Sequence, residues 1–283
     1  MMSLSRIVLV LSLVLCISCA PKIRQIREAL PGPDLMKRQC ELIGQPRIER
    51  ISEHVWAAVG YDLANEILVH TPEGNVIVDA LMSPKRGEAA KRDLLASAPA
   101  GPVKAVIFTH SHIDHIGGAS LWMDDRPQIW ATDTFTDHFY KQYQVFLPIE
   151  TIRGRRQFGD HASLDDLPCN GIGRRPDIRA AQAGAGIRLP THTFSGTKTL
   201  TFGGVEIRLI EAPGETHDQL VVWIPADRTL IAADNFYWTF PNLYTIRGAS
   251  PRPIDGWIKS LDEMRALNPE HLVPCHTEPV HGA

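Results

Sequence analysis

Thr109-His110-Ser111-His112-Ile113-Asp114-His115-Ile116-Gly117-Gly118 sets three imidazoles and one carboxylate within six positions. The apolar run 103–108 before it reads as a buried strand, and a helix is expected after it. In an extended loop, residues two apart face the same way, so His110 and His112 can grip one ion. Asp114 and His115 stand where the chain turns and can aim at a neighbouring ion. Gly117 and Gly118 permit a tight turn and a close backbone approach. Imidazole and carboxylate in this mixture suit zinc, and manganese or iron also fit such donors. Four ligands do not fill two metal sites, so the rest must come from downstream. Glu215 or His217 lies in Ala212-Pro213-Gly214-Glu215-Thr216-His217-Asp218-Gln219, and Asp234 follows the apolar run 229–233. His276 follows the last expected strand, in Val273-Pro274-Cys275-His276. Paired ions about 3.5–4 Å apart call for a bridging group, and a carboxylate such as Asp234 suits that role.

Around this motif the pattern is that of a layered chain. Strands are expected at 54–59, 66–69 and 75–79, the last after the turn Thr71-Pro72-Glu73-Gly74. A helix is expected over 84–97, with Pro84 in its first turn, and another over 133–143, with Phe135, Phe139 and Tyr143 on one side. Residues 151–196 hold Gly, Pro and scattered arginines, and read as an insert, either a lid or a flexible loop. Strands return at 197–202, 205–210, 220–224 and 229–233; a helix covers 253–267 and a last strand 271–273. Strands then helices, twice over, imply an α/β sandwich in two halves.

The 283 residues allow one large domain or two small ones, at roughly 150 residues per domain. Hydrophobic residues at 44% and charged residues at 22% match a chain able to bury a core. The net charge of −3 gives no footing to a polyanion binder, so no nucleic-acid partner is expected. At the start, Arg6 precedes an eleven-residue apolar run, 7–17, and the small residues Ser18, Cys19 and Ala20. Residues 1–20 thus have the anatomy of a secretory signal, too short for a comfortable span. Cys19 also fits a lipoprotein leader, and membrane contact is expected only through such a leader or anchor. Residues 21–46 are polar and proline-punctuated and read as a tether; 47–283 read as the catalytic domain. The expected location is exported, periplasmic or secreted. Outside the leader stand Cys40, Cys169 and Cys275. One disulfide is compatible with an oxidising compartment, and the sequence does not choose the pair.

The H-x-H-x-D-H-x-G-G run, with later ligand loops in this order, resembles the metallo-β-lactamase superfamily over about residues 48–280. The resemblance implies an α/β fold, a four-layer αβ/βα sandwich with two metals at the ends of its sheets. It implies one ion, zinc in the first instance, held by His110, His112 and a third-loop residue. A second would be held by Asp114, His115 and His276, with Asp234 bridging and Asp79 orienting a ligand from behind. Most of the superfamily has Pro-Gly-His in the third loop, whereas this chain has Pro213-Gly214-Glu215. With Asp234-Asn235 and Asn242-Leu243-Tyr244-Thr245-Ile246-Arg247-Gly248, that loop is similar to the alkylsulfatases, hydrolases of detergent-like sulfate esters. The likeness favours Glu215 over His217 as ligand.

Charge shows why that exchange matters. Two divalent ions would bring +4, and Asp114, Asp234, Glu215 and a hydroxide −4, so the cluster is near neutral. An anionic substrate then needs a separate cation, and the bidentate fork of Arg247 is the candidate. The implied enzyme is a sulfuric ester hydrolase with Asp114 and Arg247 catalytic. Arg247, Tyr244, Phe158 and Asp160 are the substrate-binding candidates for a small amphiphilic anion, and Phe236, Tyr237, Trp238 and Phe240 can line an alkyl pocket.

The chain also departs from that pattern. Phe158-Gly159-Asp160 stands where those enzymes carry a Tyr-Gly-Asn-like segment that helps hold sulfate, and the Asp160 carboxylate would repel sulfate unless protonated or paired. Arg252 stands where a histidine five residues beyond the arginine is a candidate general acid. The family continues into a helical dimerisation domain and a lipid-carrier-like domain. This sequence stops seven residues after His276, so neither is expected in it, and no oligomeric state is assigned. Three rival readings exist. One is a lactone, thioester or β-lactam hydrolase of the same superfamily. Another is a flavin- or dioxygen-linked diiron protein, against which His112 speaks because that branch favours Glu there. The third is a non-catalytic exported metal-binding protein.

Overall fold

The computed structural model describes residues 32–159, 161–163, 166–176 and 184–282. The expected leader, the first part of the tether and Asp160 lie outside the described residues.

Two mixed sheets pack face to face. The first runs β1 (Arg47–Arg50), β2 (Val55–Val59), β3 (Glu66–Thr71), β4 (Gly74–Val78), β5 (Val103–Ile107), β6 (Gln128–Thr132) and β7 (His192–Phe194), in that spatial order. Its first four strands pair antiparallel by short turns, and β4 to β7 pair parallel through crossovers. The second sheet has the order β13 (Val280–His281), β12 (His271–Pro274), β11 (Thr229–Ala233), β10 (Leu220–Ile224), β9 (Val205–Glu211), β8 (Thr197–Phe202).

The two-residue period of the strands sorts the core. Val55, Ala57, Ile67, Val69, Val76, Val78 and Ile107 pack with Ile207, Leu209, Val222 and Leu230 of the second sheet. Their alternates Trp56, Leu68, Ile77, Val106 and Phe108 face the other way and pack on Ala90 and Leu94 of α2 (Pro84–Ser97). Both faces of β2 and β4 are therefore buried, which explains why these strands lack a polar alternation. Ser83 caps α2, with its hydroxyl accepting from the Arg86 N–H. On the second sheet, α6 (Ile254–Ala266) buries Trp257, Ser260 and Met264. The result is a four-layer αβ/βα sandwich. Among the described residues no helix is long and apolar enough to cross a membrane.

Strands β1, β6, β7 and β13 go beyond the sequence reading, β7 lying within the expected insert, and three other segments differ from it. The part of the tether at Gly32–Ile43 is helical, α1, and Cys40 on it forms a disulfide with Cys169, across 129 residues. The helix over 133–143 is α4 (Phe135–Tyr140), continued by one wide π turn, Lys141–Phe146, into α5 (Leu147–Gln157). The insert thus opens with helix rather than loop. Its arginines and Pro148 obscured the period, and Pro148 is tolerated because it sits in the first turn. Cys275 is buried and unpaired.

The disulfide ties a helix with few buried side chains to the insert. Cys169→Ser is expected to raise amide hydrogen exchange over Gly32–Ile43 and around Cys169, and to leave the strands of both sheets protected. Uniform loss of protection would show that the crosslink supports the whole fold instead.

Glu66, at the start of β3, is fully buried; its Oε1 accepts from Trp122 Nε1 at 2.7 Å, and its Oε2 has no partner. Burial, against the pull of the Trp122 hydrogen bond, pushes its carboxyl from 4.5 to about 8. The folded state therefore holds a proton that the unfolded state releases, and stability falls as pH rises from about 4.5 to about 8. Glu66→Gln is expected to flatten that slope and to be more stable than the parent at pH 9, by on the order of a few kcal/mol. Urea denaturation at pH 5 and pH 9 checks it; parallel curves for the two proteins would contradict it.

Candidate active site

Four loops at one end of the two sheets bring the singled-out residues together. His110 and His112 leave β5 in an extended segment, and Asp114 and His115 open the single turn α3 (Ile113–Ile116). Gly117 and Gly118 form the expected turn with ordinary negative φ, so the turn itself does not demand glycine. Close approach is what requires them: a Cβ would lie 1.8 Å from the Met82 carbonyl oxygen at Gly117 and 2.1 Å from that of Ala80 at Gly118.

The later loops are held open by strained backbone. Ala233, just before Asp234, has φ 51°, and Thr277, just after His276, has φ 64°; Asp79 itself has φ 62°. Non-glycine residues enter this region rarely, and here each sits beside a polar group aimed into the site. Asn235 fastens the Glu215 loop to the end of β11: its Nδ2 donates to the Ala212 carbonyl at 3.0 Å. Gly214 has no room for a side chain, since a Cβ would meet Asn235 Oδ1 at 1.6 Å. From α6, Trp257 Nε1 donates to the Asn235 carbonyl and Ser260 Oγ to that of Pro213.

Donor atoms converge in two buried groups, His110, His112 and Asp234, and Asp114, His115 and His276, and a third buried group, Asp79, His115 and Cys275, shares His115 with the second; in each the atoms lie within 4.8 Å of one another. Asp234 is common to the first two neighbourhoods. Its Oδ2 lies 3.2 Å from His276 Nε2 and 3.8 Å from His110 Nε2, and its Oδ1 3.6 Å from His115 Nε2. Asp79 stands behind His115, with Oδ2 2.7 Å from Nδ1, and accepts from the Thr109 N–H and hydroxyl, each at 2.8 Å. His276 Nδ1 is 2.8 Å from the Leu63 carbonyl oxygen, which leaves Nε2 for the site.

The donor set fits a pair of cations. His115 Nε2 and Asp234 Oδ1 are buried with no hydrogen-bond partner. Burial pushes His110 down to about 3 and His112 down as well, so both stay neutral with lone pairs available. Burial works against charge on Asp114, yet His115 and His276 hold its carboxyl at about 2. Conversely, burial disfavours charge on His276, but Asp234 draws it up to about 9. A cluster of carboxylates that pulls protons onto its own imidazoles is one that calls for positive charge. His110, His112, Glu215 and Asp234 would hold one ion, and Asp114, His115, His276 and Asp234 the other.

Glu215 lines the same cavity as His112 and Asp234. Its Oε1 accepts from Asn242 Nδ2 at 2.7 Å and Arg252 Nη2 at 2.9 Å. Burial, reinforced by Asp234 and opposed by Arg252, raises its carboxyl to about 7. His217 is exposed outside the cavity, stacked on His138 with ring centroids 5.4 Å apart. Arg252 is therefore spent on Glu215 and on the Asn242 carbonyl, 3.3 Å from its Nε.

Arg247 Nη2 is 3.3 Å from His112 Nε2, and Nη1 is 3.1 Å from Glu150 Oε2. Glu150 and Tyr143, from α5 and the π turn, are site residues the sequence reading missed. No metal-type spacing marks them: Glu150 lies in the stretch whose period was hidden, and Tyr143 reads only as one aromatic of a helix face. Tyr143 Oη accepts from the Ile113 N–H at 2.6 Å, and burial raises its pKa, so the hydroxyl stays protonated.

These groups lie along a cavity of about 340 Å³ whose other walls are largely apolar, among them Leu63, Met82, Ile113, Leu147, Ile172 and Ile187. Phe158 lines it as expected. Tyr244 does not: it is 90% exposed and borders an adjoining groove with Phe158, Ile172, Tyr237 and Phe240. Of the four aromatics expected at an alkyl pocket, none lines the cavity. Tyr237 is buried edge-on to His276 and accepts from the Asn242 N–H, Phe236 packs on the core, and Trp238 and Phe240 are exposed.

Residues 60–276 match the family model described as Metallo-beta-lactamase superfamily. A linear primary-alkylsulfatase of Pseudomonas sp. (strain ATCC 19151) is 31% identical over 223 residues, covering 76% of this chain and 42% of its own length. An (R)-specific secondary-alkylsulfatase of Pseudomonas sp. is 27% identical, covering 79% and 35%. In fold, the chain superposes on a stereoselective inverting sec-alkylsulfatase from Pseudomonas sp. with TM-score 0.74 at 24% identity, over 87% of this chain and 40% of that one. A metallo-beta-lactamase family protein from Thermus thermophilus gives TM-score 0.58 at 16% identity, over 77% and 70%. The chain spans about two-fifths of the length of the alkylsulfatases it matches.

Proposed function

Because the chain belongs to the metallo-β-lactamase superfamily, we propose that it is a two-metal hydrolase of sulfate esters of apolar alcohols, zinc being the first choice of ion. The observation that carries this reading is the placing of Arg247 beside His112, between the convergent donors and an apolar cavity. When bound, a pair of divalent ions supplies Lewis acidity and a water made nucleophilic near neutral pH.

The protein's own groups do the rest. Arg247 holds the anionic head, with its fork aimed by Glu150 and its backbone N–H tied to Gln157 Oε1 at 3.0 Å. The apolar walls take the alkyl chain and keep bulk water from the ester. Asp79 fixes the His115 ring, so Nε2 faces inward. Arg252, held by Glu215, is no proton donor in the place where the resembled enzymes have a histidine. Tyr143, whose oxygen is satisfied by Ile113, has a hydrogen left to donate to the ester. Similarity to alkylsulfatases at the Glu215 and Arg247 loops supports sulfate over lactone, thioester or β-lactam. The Cys40–Cys169 bond supports an oxidising, exported location.

Sulfate release from dodecyl sulfate by zinc-loaded protein tests the reading. Release that stops on chelation is expected. Turnover of a lactone, thioester or β-lactam with no sulfate release would replace it with another hydrolysis on the same site.

A further inference from the structure

Helix α5 has two contrasting faces. Leu147, Glu150, Gly154 and Gln157 line the cavity. The other side exposes Ile149 and Ile152, the latter 71% accessible, with Val145 just before the helix and Arg153 and Arg156 among them. Single exposed apolar residues are ordinary, but a cluster is not. The loop after β11 extends it, since Phe240, Tyr244 and Ile246 are also largely exposed. The two segments adjoin: Gln157 accepts the Arg247 N–H, and a Cβ on Gly248 would lie 3.4 Å from an Arg153 guanidinium nitrogen.

Charge follows the same collar. Residues 141–158 and 238–252 expose four basic side chains, Lys141, Arg153, Arg155 and Arg156, and no acid, in a chain whose net charge is −3; Arg247 and Arg252 turn inward to Glu150 and Glu215. The groove under Phe240 and Tyr244 shares Phe158 and Ile172 with the cavity, so the collar surrounds the way in. Apolar tips set among cations fit one kind of surface, in which anionic heads lie a few ångströms above hydrocarbon.

We propose that this collar docks on the surface of aggregated anionic amphiphiles and sets the cavity mouth against it. The sulfate-ester reading explains why the cavity should face such a surface, but docking is measured without turnover. Sedimentation with phosphatidylglycerol vesicles and with phosphatidylcholine vesicles is the experiment. Binding to the anionic vesicles at least tenfold tighter, and weakening with salt, is expected. Ile149→Asp/Ile152→Asp and, separately, Arg153→Glu/Arg156→Glu should each reduce it tenfold or more, while melting temperature and hydrolysis of monomeric hexyl sulfate stay at parental values. Equal binding to both vesicles, no binding, or undiminished binding by both variants would overturn the proposal. So would light scattering that shows a dimer broken by the isoleucine variant, because a second copy would then own the face. Intact vesicle binding without hexyl sulfate hydrolysis would remove the sulfate reading and leave the docking face standing.

Discussion

Asp234→Ala is expected to cost the protein both metal equivalents and to lower ester hydrolysis by at least ~10³-fold, about 4 kcal/mol of barrier. The size follows from where the carboxylate sits. It lies within 3.8 Å of three imidazole nitrogens that belong to both donor groups, and it is the largest opposing influence to burial on the charge of His276. Removing it takes the neighbouring carboxylate from His110 and leaves His115 and His276 with Asp114, whose Oδ2 lies 3.5 Å from each. Buried like donors with less counter-charge are costly, and neither cage then closes. Metal analysis and steady-state kinetics on the variant check the result. Two retained equivalents with parental turnover would mean that Asp234 bridges nothing.

Arg247→Ala is expected to lower kcat/KM on alkyl sulfates by ~10²–10³-fold while metal content stays at two, a loss of about 3–4 kcal/mol. Its guanidinium reaches from a loop outside the donor cluster to within 3.3 Å of His112, and Glu150 fixes its other nitrogen. Arg247→Lys should recover little of the loss, because a point charge cannot span two oxygens of one head. An equal loss on an uncharged ester would show that Arg247 supports the fold of its loop rather than the anion.

Much of this arrangement is legible before any coordinates. His110 to His115 declares itself because several donors crowd one turn after an apolar strand, and no packing role asks for that. Asp234 and His276 are readable for the same reason: each directly follows a short apolar run that ends in a loop. Among the described strands β2 to β5 and β8 to β12 show through their runs, and α2 through Pro84 at its start, whereas β1, β6, β7 and β13 do not. What stays hidden is set by tertiary contact. Glu150 has no partner in sequence, since Arg247 lies 97 positions away. Tyr143 reads as one more apolar position on a helix face until the π turn places its hydroxyl on Ile113. Arg252 looks like the loss of an acid, whereas its guanidinium is the counter-ion of Glu215. Tyr244 misleads in the opposite sense, as a motif residue that points to the surface. The Cys40–Cys169 pairing is invisible because three cysteines in the described chain allow more than one partner.

Anomalous X-ray scattering at the zinc edge, from crystals of the zinc-loaded protein, probes the centre of the account. Two peaks are predicted, one among His110, His112 and Glu215 and one among Asp114, His115 and His276, with Asp234 between them. A single peak, none, or zinc only at the surface group Glu53, His54 and Asp227 would contradict it.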